Sequence, residues 1–424
     1  MKVKTIKSLC GMLAVLVFTA CSSNIDESAD APRFYNVTLT ASMGDADTRA
    51  LSESGNVITA TFAENDEVKV VKADGSLVGT LRAKTAGANT TLTGDLDAST
   101  LTNGEEVTLR YRSATANYDG QVGTLDGIAA NQDYEEGTLT VTSTDPLTFN
   151  SNSVTLLAKQ SITKFTFKNG TNPVSVKSFG IAAVGLVQSI ATNGTETAGA
   201  VTGTLTTASS DVYIALRNNT DAKQTYAFTI KDNAGNWYIT TKKAKLTYRK
   251  NYAVDIALTP LPALTSSDAV GTIGMVGGLP AIVLNSTTAV ALMNVGALCP
   301  EHYGTYHPFT NLPSLSNGWY VPTRTELEAL AGISSSWGAP YGVNGRTFTV
   351  IEGKTLFLPA AGLDDTDDDP HDFINVSTFG YYWSSTVSET LPICLSFSSS
   401  VVNIISDYPS DALTVRPFHA LSAQ

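Results

Sequence analysis

Cysteine and histidine are scarce, with four of each in 424 residues. So few thiols exclude a dense disulfide framework, and so few imidazoles and thiols exclude an array of zinc modules. Charge is sparse too: Asp, Glu, Lys and Arg make up 16 % of the chain. Basic residues are the rarer sign, 27 against 39 acidic ones, for a net charge of −12. A surface of that sign repels phosphate backbones, so nucleic acid is not an expected partner. The motifs of common enzyme classes are absent: there is no G-x-S-x-G elbow, no phosphate-binding loop and no H-E-x-x-H. An enzyme is therefore not expected. What is abundant is Thr, Val, Gly, Ser and Asn, a globular composition that favours strands over helices.

The N-terminus carries Lys2, Lys4 and Lys7 ahead of the apolar stretch Ser8–Ala20. That stretch is too short to span roughly 30 Å of hydrocarbon and fits a cleaved export signal over residues 1–20. Phe18-Thr19-Ala20-Cys21 resembles a lipobox, which implies lipidation at Cys21; in an ordinary secretory signal Cys21 would be incidental. Residues 21–32, with Asp26, Glu27 and Asp30, form an acidic tether. The tether resembles the export signal of outward-facing Bacteroidetes lipoproteins. The expectation is a lipid anchor in the cell outer membrane, holding the protein to the membrane without threading it through.

Period-two alternation dominates the chain from Arg33 onward. Val37, Leu39 and Ala41 alternate with Thr38 and Thr40; Val107, Leu109 and Tyr111 alternate with Thr108, Arg110 and Arg112. One apolar and one polar face means half-buried antiparallel sheet. A second set of strands includes Thr163–Lys168, Val212–Leu216, a hairpin around Asp232–Asn236 and a final strand over Tyr252–Leu258. The pattern predicts a mainly β fold: half-buried antiparallel sheet over 33–146, a β-sandwich over 147–261, and an α+β unit over 271–424. In the last unit Thr323 and Glu326 have capping-box spacing, Leu327 and Leu330 share a face, and Gly332 supplies a stop.

Residues 33–261 resemble the fimbrillin family of Bacteroidetes lipoproteins. The resemblance rests on the lipobox, on Thr48-Arg49-Ala50, on Phe62-Ala63-Glu64-Asn65-Asp66-Glu67-Val68 and on the ending NYAVDIALTPL. Asn65 stands where the family has Gly; Asn tolerates φ > 0, so the turn remains feasible. Residues 271–420 resemble the Fibrobacter-type major paralogous domain through Gly318–Leu327, Leu358–Gly362, Gly380–Thr386 and Val415–Phe418, with Pro417 replacing the usual Cys. These resemblances imply two tandem β-sandwiches carrying a C-type-lectin-like domain. They also imply a role in cell adhesion or the fimbrium, with the layout of a tip subunit. A stand-alone lipoprotein that captures polysaccharide is the alternative.

Several residues are candidates for chemistry. An Arg near position 49 is the processing site in fimbrillins that mature by proteolysis; cleavage at Arg49 would open a groove for a strand of another subunit, whereas otherwise Arg49 is a solvated loop residue. Six Asp fall between Asp364 and Asp372. Asp364, Asp367 and Asp369 could hold calcium, although the segment has no EF-hand spacing and reads equally as a solvated loop. Apart from calcium no cofactor is expected. Cys299 and Cys394 could pair in an oxidising compartment, join His302 and His307 at a zinc ion, or stay as buried thiols. Trp337 and Tyr341, among Ser, Gly and Pro, are the aromatics expected to be exposed, and with Asp367 and Asp368 they are candidate contacts for a glycan or protein ligand.

Overall fold

The computed structural model of the protein describes residues 32–44, 61–220, 222–365 and 372–421, together with the backbone of Ser52–Ser54 and Val57–Thr59. The first unit is built from β1 (Phe34–Met43), the short hairpin β2 (Ser52–Ser54) and β3 (Val57–Thr59), then β4 (Glu67–Val71), β5 (Leu77–Ala83), β6 (Asn89–Asp97) and β7 (Glu106–Tyr111). β8 (Ala116–Asn117) comes next, then β9 (Glu135–Thr144), β10 (Leu147–Phe149) and β11 (Ser153–Ala158). Alternation acts as expected in β1: Val37, Leu39 and Ala41 are buried while Asn36, Thr38 and Thr40 face out.

The sheet differs from the expected sandwich. The strand order is β10-β9-β11-β1-β6-β5-β4-β7, and β7 also pairs with β9. Seven strands therefore close into a ring around one core, with β10 added outside. The expected boundary at 146/147 falls inside the β9–β10 hairpin, where Leu147 pairs with Thr144. The unit continues to Ala158 because Val154 and Leu156 on β11 share the core of Val37 and Leu39. Conversely, Ala116, Tyr118, Ile128 and Tyr134 leave this unit and fill the core of the next. Helix α1 (Leu125–Asn131), capped by the Thr124 side chain on the Gly127 N–H, lies in this crossing segment.

The second unit has two sheets over a common core. In one, the central strand Ser161–Asn169 pairs antiparallel with Asp211–Asn218 and parallel with Asn251–Ala257. The other runs in the order Val201–Ser209, Val176–Ala182, Gln224–Asp232, Trp237–Ala244. Phe165 and Phe167 from the first sheet meet Phe228 from the second at 5.3 and 6.4 Å between ring centroids. The hairpin around Asp232–Asn236 is tied by the Asp232 carboxylate, which accepts the N–H groups of Ala234 and Asn236.

Among the described residues the terminal unit has four small sheets, one α-helix, α2 (Arg324–Ala331), and a single 3-10 turn at Phe309–Asn311. Its early strand Thr288–Ala291 pairs with its last, Phe418–Ala420, so the chain enters and leaves at one place. The capping box forms: the Thr323 hydroxyl accepts the Glu326 N–H, and Glu326 accepts the Thr323 N–H at 2.7 Å. Leu327 and Leu330 are fully buried beneath it. Gly332 ends the helix as the C-cap, with φ at −71°. Thr323→Ala is expected to lower stability by about 1 kcal/mol, readable as a shift in urea midpoint at unchanged slope. Among the described residues no helix is long and apolar enough to cross a membrane.

Candidate functional site

Two places were marked by the sequence: the first strand with its following segment, and the outer face of the terminal unit. β1 is paired along both edges. Against β6 the antiparallel register runs from Phe34↔Asp97 to Ser42↔Asn89. Against β11 the parallel register runs from Thr40↔Ser153 to Met43↔Leu156. The chain rejoins the ring at Phe62, whose N–H and C=O both bond to Gly87 and whose ring meets Tyr111 edge-on at 5.7 Å. Asn65 adopts φ 68°, the left-handed turn that the substitution of Asn for Gly required. Asp66 fixes that turn by accepting the Ala63 N–H and the Tyr111 hydroxyl. A break between Met43 and Phe62 would leave β1 held by noncovalent contacts alone. Its loss would expose the edges of β6 and β11 and a slot shaped for Val37, Leu39 and Ala41. Arg49 and Cys21 lie outside the described residues.

On the terminal unit, Asp364 and Asp365 end the strand Leu363–Asp365, and Asp372 begins its partner strand Asp372–Ile374. Asp367, Asp368 and Asp369 lie outside the described residues. Asp364 is buried while Asp372 is exposed. Among the described residues no three His, Cys, Asp or Glu side chains group in a way that could hold a metal ion. Asp407 lies near Asp365; burial, reinforced by that neighbouring charge, pushes its carboxyl up, against bonds from Tyr408 and Asp411. Two exposed aromatics here, Phe373 and Tyr408, were not singled out from sequence. Phe373 packs on Tyr306 at 4.9 Å between centroids. Their only sequence signal was an aromatic inside an acidic turn, in His371-Asp372-Phe373 and Asp407-Tyr408-Pro409.

The other candidates are placed differently from expectation. Trp337 is half-buried against the main core of the terminal unit. Tyr341 packs on Ala182, Ala200 and Cys299, at the junction with the second unit, and burial raises its hydroxyl with a further push from Glu301. Neither is a free loop aromatic. Cys299 and Cys394 are both buried and unbonded. The expected disulfide is absent because the fold sends them to different cores: Cys299 faces Gly180 and Ala182 of the second unit, and Cys394 packs with Trp383 and Leu413. The zinc arrangement fails for the same reason. His302 lies 3.5 Å from Asp119, and the His307 ring shares a hydrogen bond with Thr305.

The terminal unit is seated firmly on the second. Trp237, on the strand Trp237–Ala244, is buried among Ile282, Val290 and Leu292 of the terminal unit, and its indole N–H donates to the Gly278 carbonyl at 3.1 Å. Asp119, from the crossing segment, pairs with His302 and accepts the Thr202 N–H and hydroxyl. Burial opposes its charge, but these partners hold its carboxyl below the usual range.

No family model matches the chain. No curated protein matches it. Among solved structures it is similar to a protein provisionally described as a cell adhesion protein, from Bacteroides ovatus ATCC 8483. There the identity is 13 %, the TM-score 0.33, and the match covers 55 % of this chain and 97 % of the other. A fimbrial assembly protein from Parabacteroides distasonis ATCC 8503 is similar at 13 % identity and a TM-score of 0.28, covering 53 % of this chain and 91 % of that one. The tip fimbrial protein Mfa3 from Porphyromonas gingivalis, with C-terminal truncation, is similar at 10 % identity and a TM-score of 0.27, covering 54 % and 96 %.

Proposed function

We propose that the chain is a surface-anchored, non-enzymatic adhesion protein that serves as a fimbrial subunit at the tip. In this reading it is lipidated at Cys21 and faces outward from the cell outer membrane. Its C-type-lectin-like terminal unit presents the surface for a glycan or protein ligand. The observation that supports it most is the place of β1. The first strand among the described residues fills a slot between β6 and β11, with the candidate cleavage residue Arg49 downstream of it and upstream of Phe62. Release of that strand would leave a ready acceptor for a strand of another subunit, with backbone hydrogen bonds giving affinity and the slot giving register. The fixed seat of the terminal unit, through Trp237 and Asp119, suits a head that must transmit force to its stalk.

Expression of the full chain and of Arg49→Ala in a fimbriated host provides the test. Labelled fibres and a subunit ladder on gels are expected for the parent, with Arg49→Ala present at the surface but absent from the ladder. Surface protein with no fibre label in either case would instead support the stand-alone polysaccharide-capturing lipoprotein. The exposed rings of Phe373 and Tyr408 favour a sugar-facing role for the terminal unit in both readings.

A further inference from the structure

The chain is acidic, yet one end of the second unit carries a concentration of positive charge. Lys242, Lys243, Lys245, Arg249 and Lys250 fall within nine residues, all exposed and without an acidic residue among them. Lys223 flanks the same end, because Gln224 pairs with Ala244 in the adjoining hairpin. Like charges gathered on neighbouring strands repel, so the arrangement costs stability that a purely structural surface would avoid. Lys223, Lys243, Arg249 and Lys250 take part in none of the ion pairs among the described residues.

The turn that carries these residues is held in place. Leu246 is buried, the Thr247 N–H donates to the Tyr252 hydroxyl, and the Arg249 N–H donates to the Gln160 carbonyl. Arg249 has φ 63°, a left-handed conformation that a non-glycine residue keeps at a cost. Its guanidinium lies 5.6 Å from the ring centroid of Tyr248, which is itself exposed. Arg249 also stands at the lip of a 390 Å³ cavity between the first and second units. Its walls combine polar groups, Asn150, Ser151 and Ser153 from the β10–β11 region and Thr138 from β9, with the apolar Leu139, Val154 and Leu157. The carboxylate in this cavity, Glu136, is already engaged by Arg110, Lys159 and the Tyr134 hydroxyl. It therefore does not cancel the charge of Arg249.

Hydroxyls and an amide in the cleft, Arg249 at its lip, and the exposed Tyr248 and Lys250 on either side of Arg249 in the chain together match one ligand chemistry. We propose that this cleft binds an anionic oligosaccharide, with sugar hydroxyls against Asn150 and Ser151, a ring face against Tyr248, and sulfate or carboxylate groups on Arg249 and Lys250. The site lies on the stalk side of the molecule, distinct from the face of the terminal unit, and does not depend on the fimbrial reading.

Titration calorimetry on the full chain tests it with three probes: a heparin-derived hexasaccharide, hexagalacturonate and neutral maltohexaose. At least one anionic probe is expected to bind and maltohexaose is not; which anion binds distinguishes sulfated from uronate glycans. Binding is expected to weaken on raising salt from about 0.02 to about 0.15 M. The double variant Arg249→Gln/Lys250→Gln is expected to lose about ten- to a hundredfold in affinity, and Tyr248→Ala is expected to weaken binding further. Lys354→Gln, on the terminal unit, is expected to change nothing. Binding of neither anionic probe, equal binding of maltohexaose, or unchanged affinity in a double variant that melts like the parent would each overturn the proposal. So would self-association of the parent that the double variant abolishes without any sugar binding, since that would make the patch an interface between copies.

Discussion

Trp237→Ala is expected to lower stability by about 3–5 kcal/mol, the largest loss expected of a single truncation at the junction of the second and terminal units. The indole belongs to the second unit by sequence but to the terminal unit's core by packing. It is 3 % exposed, lies among Ile282, Val290 and Leu292, and donates to Gly278. Its backbone carbonyl also accepts the Leu261 N–H, and Lys231 covers the ring at 5.3 Å. Truncation therefore opens a cavity between two units and leaves the Gly278 carbonyl without its donor. Units of this size lose roughly 2–4 °C per kcal/mol, so the expected fall in melting temperature is about 10 °C. The shape of the transition is as informative as its position. Scanning calorimetry on the parent should show the second and terminal units melting together, and the variant should split that transition. A loss below about 1 kcal/mol with an unchanged profile would mean that the two units are joined elsewhere. Trp337→Ala, removing a ring that is only half-buried, is the control and should cost clearly less.

Local features were legible in the sequence because their physics is local. The capping box at Thr323 and Glu326, the alternation along β1, the left-handed Asn65 and the Asp232–Asn236 hairpin each depend on residues within a few positions of one another. What escaped was decided by long-range partners. Closure of the first unit rests on the contact of β9 with β11 and of β9 with β7, and no local signal distinguishes a closed ring from two open sheets. The crossing segment 116–134 looked like a continuation of the first unit, yet its apolar residues serve the second.

The site candidates divide in the same way. Tyr341, amid Gly, Ser and Pro, has the sequence context of an exposed loop aromatic, but a neighbouring unit covers it. Cys299 and Cys394 were candidates for pairing on compartment alone, whereas a thiol's partner is set by where its strand or turn points. The basic run from Lys242 to Lys250 was visible as letters. That Arg249 stands at the lip of a cleft lined by β9 and the β10–β11 region was not, because only the fold brings them together.

A second large effect concerns pH. Glu301 is 5 % exposed at the junction of the second and terminal units. Burial pushes its carboxyl up to about 7, and bonds from its own backbone and from Cys299, with the attraction of Arg416, do not offset the lost hydration. The folded protein therefore holds a proton that the unfolded chain releases near 4.5. Below that value both states are protonated and the group has no effect. Between pH 4.5 and 7 the unfolded state gains from ionisation while the folded state cannot, so stability falls as pH rises, by up to about 1.4 kcal/mol per unit. Above about 7 the loss levels off at roughly 3 kcal/mol in total. Glu301→Gln keeps the shape and removes the titration. Its melting temperature should match the parent near pH 4 and exceed it at pH 8. Asp119 and the other carboxylates titrate in both proteins, so the difference between the two curves isolates Glu301 from the general acid response of the fold. Parallel curves between pH 4 and 9 would mean that this carboxyl ionises normally, and that the junction is wetter than its packing against Cys299 and Tyr341 implies.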